Sequence, residues 1–222
     1  MPDPLFPPPP APLIPLAGED AAYPVRRVFC VGRNYAAHAA EMGAEVDREA
    51  PFYFTKSPAH VVAAPARVAY PKGTGDYHHE VELAVMLDAD GAPLGYACAL
   101  DMTRRDLQAA AKAKRRPWDL GKDVEGSAVI GAVARADAVG DLAGRRIWLT
   151  VDGAVRQDAT LDEMIHDVPA ILSDLAGYYD LGAGDVVLTG TPAGVGAVAP
   201  GATVAAGVDG LPEVRLTLTP RD

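Results

Sequence analysis

The stretch from Asp76 to Asp101 constrains the fold of this chain most, because its alternating pattern predicts two consecutive β-strands joined by a turn. Side chains repeat every second residue along a strand, so Glu80 and Glu82 should leave the same face, about 7 Å apart. That face continues through Ala84 and Met86, while the opposite face is entirely apolar. The two glutamates are therefore expected at the mouth of a partly buried surface.

A third carboxylate follows the second predicted strand, residues 94–100, which ends at Asp101. Three acidic oxygen ligands with no cysteine nearby suit a hard divalent ion such as Mg²⁺, Mn²⁺ or Ca²⁺ better than Zn²⁺. The pattern alone leaves a second interpretation open, since Glu80 and Glu82 would also fit the solvated face of an exposed sheet.

Composition narrows the class of protein. The 222 residues include 22 Gly and 20 Pro, which favours a β-rich fold with many turns over a helix bundle. The formal net charge of −10 argues against nucleic acid and anionic membrane as partners. Cys30 and Cys98 lie in apolar runs without disulfide or thiolate-metal spacing, which fits a reducing cytoplasm. The sequence shows neither a secretory signal nor an apolar run of about 18 residues that could span a membrane.

The chain is expected to divide into an arm and one domain. Nine of the twenty prolines fall within the first 24 residues, so residues 1–25 are predicted to form an extended polyproline II or disordered arm. Ordered structure should begin with a strand at 27–31, and residues 26–222 should form a single catalytic domain.

The segment GRNYAAHAAEMG predicts a short helix that Asn34 caps and Gly43 ends. Within it His38 and Glu41 are three apart and share one face. A carboxylate beside an imidazole raises its basicity, as a general base acting on water requires, although a surface ion pair has the same spacing. The polar segment 44–50 could be the hinge of a lid.

Basic and amide side chains follow the acidic strands. A helix with Thr103 and Asp106 as its capping pair is predicted to carry Arg105, Gln108 and Lys112 on one stripe. Arg105 follows Asp101 by only four residues, so its fork of donors could reach an anion there.

Other basic residues are less constrained by the pattern. Lys122 either stabilises negative charge on an oxygen or is exposed. Lys56 is either a surface charge or a carboxylate contact, and the surface is favoured. We expect residues 114–116 at the surface, and Trp118 and Leu120 in a core.

The remaining pattern adds strands and a glycine-rich turn. Asp152-Gly153 predicts a hairpin with a type I′ turn, and residues 161–181 predict a helical region. A buried strand then leads into TGTPAGVG at 189–196, whose backbone N–H groups and hydroxyls could bind a carboxylate or simply form a turn.

Five strings, VGRNYAAHAAEMG, DYHHEVELAV, LDMTRRDLQ, PWDLGK and LTGTPAGVG, occur in an order that closely resembles the fumarylacetoacetate hydrolase family, from about Arg26 to the end. The resemblance implies an α+β, mainly β fold, a mixed β-roll or sandwich with a few short helices, and usually a homodimer. It also implies a role for each candidate residue: Glu80, Glu82 and Asp101 bind Mg²⁺ or Mn²⁺, His38 and Glu41 activate water on a lid, and Arg105, Gln108, Lys122 and Thr191 contact the substrate and its oxyanion.

Within the family, the chain looks most similar to the fumarylpyruvate hydrolases of gentisate breakdown and to related acylpyruvases. The chain departs from the family in one motif: relatives often carry K-x-F-D where this chain has Lys122, Asp123, Val124 and Glu125. The loss of the aromatic residue could reshape the substrate pocket. The resemblance implies hydrolysis of the C–C bond of a 3-acylpyruvate, with fumarylpyruvate giving fumarate and pyruvate. The alternatives are an oxaloacetate decarboxylase, a 2-hydroxyhepta-2,4-diene-1,7-dioate isomerase, and a non-catalytic protein that binds a dicarboxylate.

Overall fold

The computed structural model of the chain describes residues 3–7, 9–43 and 48–221. The strands are β1 (Leu13–Pro15), β2 (Ala22–Pro24), β3 (Arg27–Val31), β4 (Tyr53–Lys56), β5 (Val61–Ala63), β6 (Ala66–Ala69), β7 (Tyr77–His79), β8 (Val81–Leu87), β9 (Pro93–Asp101), β10 (Thr103–Arg104), β11 (Ala128–Ile130), β12 (Ala134–Arg135), β13 (Arg146–Val151), β14 (Ala154–Thr160), β15 (Asp185–Leu188), β16 (Gly196–Ala197), β17 (Thr203–Val208) and β18 (Val214–Thr219). The helices are α1 (Ala36–Glu41), α2 (Arg105–Ala113), α3 (Asp119–Lys122), α4 (Ala136–Val139) and α5 (Val168–Ala176), with 3₁₀ turns at Pro58–His60 and Leu161–Glu163.

Two larger sheets form the body of the fold. The first has eight strands, in the order β4-β3-β15-β8-β9-β11-β5 with β12 beside β9, and the second has five, in the order β14-β13-β17-β18-β6. Two smaller sheets, β10-β7-β16 and β1-β2, lie beside them. Short helices connect these strands. The predicted α+β, mainly β fold with a few short helices is confirmed.

The alternation along β8 separates two apolar cores. Leu83 and Val85 pack in one core with Leu149 and Val204 of the second sheet. The other side chains of β8, with Met86 as an example, pack in a second core on the opposite face of the first sheet. The predicted two-faced strand is therefore confirmed, and Glu82 lies on the second face by the same alternation.

The N-terminal segment differs from its prediction. Strands β1 and β2 pair as an antiparallel hairpin, with Ile14 opposite Tyr23, and both side chains are buried in the second core. The Tyr23 hydroxyl lies 2.8 Å from the carbonyl oxygens of Leu87 and Asp185 and accepts the Gly184 N–H. The expectation of a polyproline II or disordered arm, with order beginning at Arg27, is wrong for residues 13–25. Apolar side chains between the prolines bury enough surface to fix this segment on the sheet.

Both predicted helix caps are also wrong. Asn34 is fully buried, and its side chain donates to the carbonyls of His166 and Thr189 instead of capping α1. Thr103 lies in β10 and donates to the Asp101 carbonyl, while the Asp106 carboxylate accepts from the Thr74 hydroxyl. The partners of Asn34 and Asp106 are distant in sequence, so they cannot be read from local spacing.

Other local predictions have mixed outcomes. The hairpin at Asp152-Gly153 is confirmed, and both residues have the positive φ that a type I′ turn requires. The helical region predicted for 161–181 is reduced to a 3₁₀ turn and α5. Leu120 is 71% exposed, so its predicted place in a core is wrong. The predicted hinge at 44–50 falls mainly on residues 44–47, which lie outside the described residues. None of the helices in the described ranges is long and apolar enough to cross a membrane.

Candidate active site

Three buried carboxylates converge where β8 begins and β9 ends. Glu80 precedes β8, Glu82 is its second residue, and Asp101 is the last residue of the neighbouring strand β9. The Asp101 N–H donates to the Glu80 carbonyl at 2.9 Å, which fixes the two chain segments together. One carboxylate oxygen from each residue lies within 4.8 Å of the other two. The interpretation of Glu80 and Glu82 as a solvated sheet face is therefore wrong.

Two predicted cationic residues neutralise this cluster. Lys122 Nζ lies 2.7 Å from Glu80 Oε2 and 2.7 Å from Asp101 Oδ2, and it is buried. Arg105 forms a buried ion pair with the other oxygen of Glu80 and donates to Gln108 Oε1 at 2.6 Å. Helix α2 thus brings Arg105 and Gln108 to the acidic cluster, and the exposed alternative for Lys122 is wrong.

A third cation, Lys56, was predicted at the surface and is instead one of the most buried side chains. Its Nζ lies 2.8 Å from Asp101 Oδ1 and donates to Ser127 Oγ at 2.8 Å and to the carbonyls of Met102 and Lys122. The surface prediction is wrong because Lys56 shares the inward face of β4 with Phe54, which packs on the second core. The alternation of FYFTK was the signal that could have found it.

The cluster contains equal numbers of carboxylates and cations, but the pKa values of its two glutamates shift in opposite directions. The three carboxylates face three cations, Lys56, Arg105 and Lys122. Burial opposes ionisation of Glu80, but Lys122 and Arg105 outweigh it and hold its pKa below the usual range. Burial raises the pKa of Glu82 well above the usual range, and the charges of Asp101 and Glu80 raise it further. Glu82 is therefore the carboxylate that gains most from an additional cation.

The donor set fits a hard divalent ion. All three side chains offer carboxylate oxygens, which Mg²⁺ and Mn²⁺ prefer. Asp101 Oδ1 is buried and accepts no hydrogen bond among the described residues, although the Lys56 ammonium lies 2.8 Å away. Glu82 Oε2 accepts only the Gly190 N–H, at 2.7 Å, within the described chain. Both oxygens keep lone pairs for a metal.

The predicted base pair lies beside this cluster. His38 is buried on α1, and its Nδ1 lies 3.3 Å from Glu41 Oε2. Burial lowers the pKa of His38, and this effect exceeds the opposing influence of Glu80 and Glu41. A neutral imidazole near pH 7 can accept a proton. The Gly194 N–H donates to the Glu41 carboxylate at 3.1 Å, which ties α1 to the glycine-rich loop.

Gln157 connects that loop to the acidic strand β8, and no sequence pattern predicted this role. Its Oε1 accepts the Val81 N–H at 3.1 Å, between the two glutamates, and contacts His79. Its Nε2 donates to Thr191 Oγ1 and to the Pro192 carbonyl, both at 2.8 Å. The Thr191 hydroxyl therefore accepts one bond and keeps its own proton for another acceptor.

The structure brings the predicted site residues into one region. Glu80, Glu82, Asp101, Arg105, Gln108 and Lys122 form a contiguous network, and His38 is close enough to Glu80 to be affected by its charge. A cavity of about 880 Å³ lies elsewhere, beneath α5, and none of the nine predicted residues lines it. The chemistry of the side chains identifies the site better than cavity size does.

The family model described as fumarylacetoacetate (FAA) hydrolase C-terminal matches residues 27–219. The chain belongs to the fumarylacetoacetate hydrolase family. The predicted family, and with it the expectation of an enzyme, are confirmed.

Three relatives show the range within this family. The chain is 42% identical over 193 residues to a fumarylpyruvate hydrolase of Ralstonia sp, covering 82% of this chain and 100% of the relative. It is 38% identical to a mitochondrial oxaloacetate decarboxylase of Dictyostelium discoideum, over 84% of this chain and 90% of that protein. The crystal structure of fumarylpyruvate hydrolase from Pseudomonas aeruginosa in complex with Mn²⁺ and pyruvate superposes with a TM-score of 0.94 at 41% identity, covering 99% and 100% of the two chains.

Proposed function

We propose that this enzyme hydrolyses the C–C bond of a 3-acylpyruvate, with fumarylpyruvate converted to fumarate and pyruvate. The observation that carries the proposal is the buried Glu80, Glu82 and Asp101 cluster next to a buried, neutral His38. The Ralstonia and Pseudomonas relatives named for fumarylpyruvate support this choice of substrate.

Charge balance favours a doubly negative substrate. When all three carboxylates are ionised, as metal binding requires, they balance Lys56, Arg105 and Lys122, so a bound Mg²⁺ or Mn²⁺ adds two positive charges. An oxo-dicarboxylate carries two negative charges that offset those of the metal. When bound, the metal would be held by Glu80, Glu82 and Asp101 and would supply positive charge that polarises the 2-oxo acid end of the substrate.

The side chains around the cluster can orient the substrate. Gln108 uses its oxygen on Arg105, which leaves the amide N–H₂ for a substrate carboxylate. Thr191 accepts from Gln157, so its hydroxyl proton is directed to another acceptor. These groups bind the oxo acid end and hold the acyl carbonyl toward His38.

His38 supplies the base for hydrolysis. Its imidazole takes a proton from water, the hydroxide oxygen bonds to the acyl carbonyl carbon, and Glu41 stabilises the resulting imidazolium. Lys122 uses two of its three N–H donors on Glu80 and Asp101, so the third can donate to the oxyanion. The C–C bond then breaks, and the pyruvate enolate takes up a proton. Water and substrate are thereby converted into two carboxylic acids.

Decarboxylation of oxaloacetate is the second candidate, because the Dictyostelium relative is named for it. That reaction needs no attacking water, so it would leave the base His38 without a role. A non-catalytic dicarboxylate-binding protein would not require the supported imidazole, whereas an isomerase would use it to move a proton within the substrate instead of activating water. The products separate these alternatives: two carboxylic acids, carbon dioxide, an isomer or none.

We also propose that the enzyme is a homodimer and that it acts in the cytoplasm. Leu120 and Tyr178 are each 71% exposed and provide apolar surface that a second copy could cover. The molar mass in solution measures the oligomeric state directly.

The test is a product assay with fumarylpyruvate, with and without Mn²⁺ or Mg²⁺. We expect fumarate and pyruvate in equal amounts, dependent on the metal. His38→Ala should lower turnover by roughly 10²–10⁴-fold while Mn²⁺ binding is retained, because only the base is removed. Full activity of His38→Ala on every acylpyruvate tested would refute the role of this residue.

A further inference from the structure

Lys112 is a cation of the site region to which the proposed reaction assigns no role. It lies on the same stripe of α2 as Arg105 and Gln108, and its side chain is partly buried. Its Nζ lies 4.7 Å from the centroid of the Trp118 ring. No carboxylate among the described residues forms an ion pair with Lys112. A stacked, partly desolvated ammonium without a counterion is suited to an anionic ligand.

Arg33 provides a second cation in the same neighbourhood. Its guanidinium carbon lies 5.3 Å from the centroid of Phe52, and the rings of Phe52 and Trp118 meet edge to face at 5.3 Å. Arg33 Nε is buried and has no hydrogen-bond acceptor in the part of the chain that the structure describes. A buried N–H of this kind is costly unless a ligand accepts its hydrogen bond.

Lys112 is repelled by the cations around it. Burial lowers the pKa of Lys112 to about 8, and the charges of Arg105, Arg33 and Lys122 contribute to the shift. Lys112 is therefore close to three other cations, and an anion placed between them would relieve the repulsion.

The spacing along α2 lets one ligand contact both ends of the same helix face. Lys112 follows Arg105 by seven residues, which is about 10 Å along a helix axis. A dicarboxylate whose first carboxylate is bound near Arg105 can therefore extend along this face toward Lys112.

We propose that Lys112 and Arg33 bind the distal carboxylate of the oxo-dicarboxylate substrate, and that they select such substrates over those with a neutral acyl end. The proposal deepens the proposed function and rests on it for the position of the oxo acid end. Lys112 and Arg33 determine specificity and take no part in bond breaking.

The test compares two ligands that differ only at the distal end, 2-oxoheptanedioate and 2-oxoheptanoate, by calorimetric titration of the Mn²⁺-loaded enzyme. We expect the diacid to bind at least tenfold more tightly to the wild type. Lys112→Met and Arg33→Met should each reduce this preference about tenfold, since a charge-assisted hydrogen bond is lost. Lys114→Met is the matched control, because Lys114 is exposed at the end of the same helix, and it should keep the wild-type preference.

The outcomes separate the two proposals. A wild type that does not prefer the diacid, or variants that weaken both ligands equally, would overturn the inference about Lys112 and Arg33. A wild type that prefers the diacid but hydrolyses no acylpyruvate would refute the proposed function and leave the distal site standing.

Discussion

Replacing Lys56 by Met tests whether the acidic site depends on its buried cations. Met keeps the unbranched apolar stem of lysine and removes only the ammonium group. In the wild type that group lies 2.8 Å from Asp101 Oδ1 and donates to three further oxygens. Lys56 and Asp101 are both essentially inaccessible to solvent. The substitution therefore leaves a buried carboxylate with Lys122 as its remaining ion-pair partner.

The expected cost follows from this burial. Removing one partner of a buried ion pair typically costs about 3–5 kcal/mol, because the other charge stays desolvated. Domains of this size are stable by about 5–15 kcal/mol, so Lys56→Met should lose a large fraction of the free energy of unfolding. An exposed lysine would change it by less than about 0.5 kcal/mol.

Urea unfolding of the metal-free protein measures the difference in the free energy of unfolding. A shift of the urea midpoint without a change in the slope of the transition reports a change in stability. Lys114→Met is the control for loss of an exposed charge. Added Mn²⁺ should recover more stability in Lys56→Met than in the wild type, because a cation that binds only the folded state can replace the missing charge. Equal unfolding free energies for Lys56→Met and Lys114→Met would refute the reasoning.

Two further predictions concern residues that support the site. Glu41→Gln removes a carboxylate that raises the pKa of His38, which already lies below 6.5. A base acts only when unprotonated, so activity falls as the pH drops through this pKa. The acidic limb of the kcat/KM profile should therefore move to lower pH in the variant. An unchanged limb would argue against His38 as the base. Gln157→Leu leaves the buried Val81 N–H and Thr191 hydroxyl without this partner and should cost roughly 2–6 kcal/mol in urea unfolding. A loss below about 1 kcal/mol would contradict its bridging role.

The period-two pattern of the acidic stretch was the most informative part of the sequence. Glu82 and Met86 lie on one face of β8 because strand geometry leaves no alternative once the strand forms. Asp101 could be predicted at the end of the next strand, but that it meets Glu80 depends on the register of β8 and β9. The candidate metal ligands could thus be named from local pattern together with the family resemblance.

Lys56 and Gln157 show where local pattern is not sufficient. The alternation of β4 places Lys56 on the inward face, but lysine is rarely buried, and its ion pair with Asp101, 45 positions away, is what stabilises it there. Gln157 lies in a hairpin of the second sheet and reaches the acidic strand only through the packing of the two sheets. The predicted burial of Leu120 was wrong for the opposite reason, because an apolar side chain can also lie at the surface.

The hairpin of β1 and β2 is distant in sequence from the acidic residues but affects their surroundings. Ile14 and Tyr23 cover the apolar end of the sheet face whose polar end carries Glu82 and Asp101. Hydrocarbon sealed behind the carboxylates keeps bulk water from screening them, and a low local dielectric strengthens every charge–charge interaction there. The hairpin therefore helps to keep the dielectric around the acidic cluster low, and its deletion should weaken cation binding without removing a metal ligand.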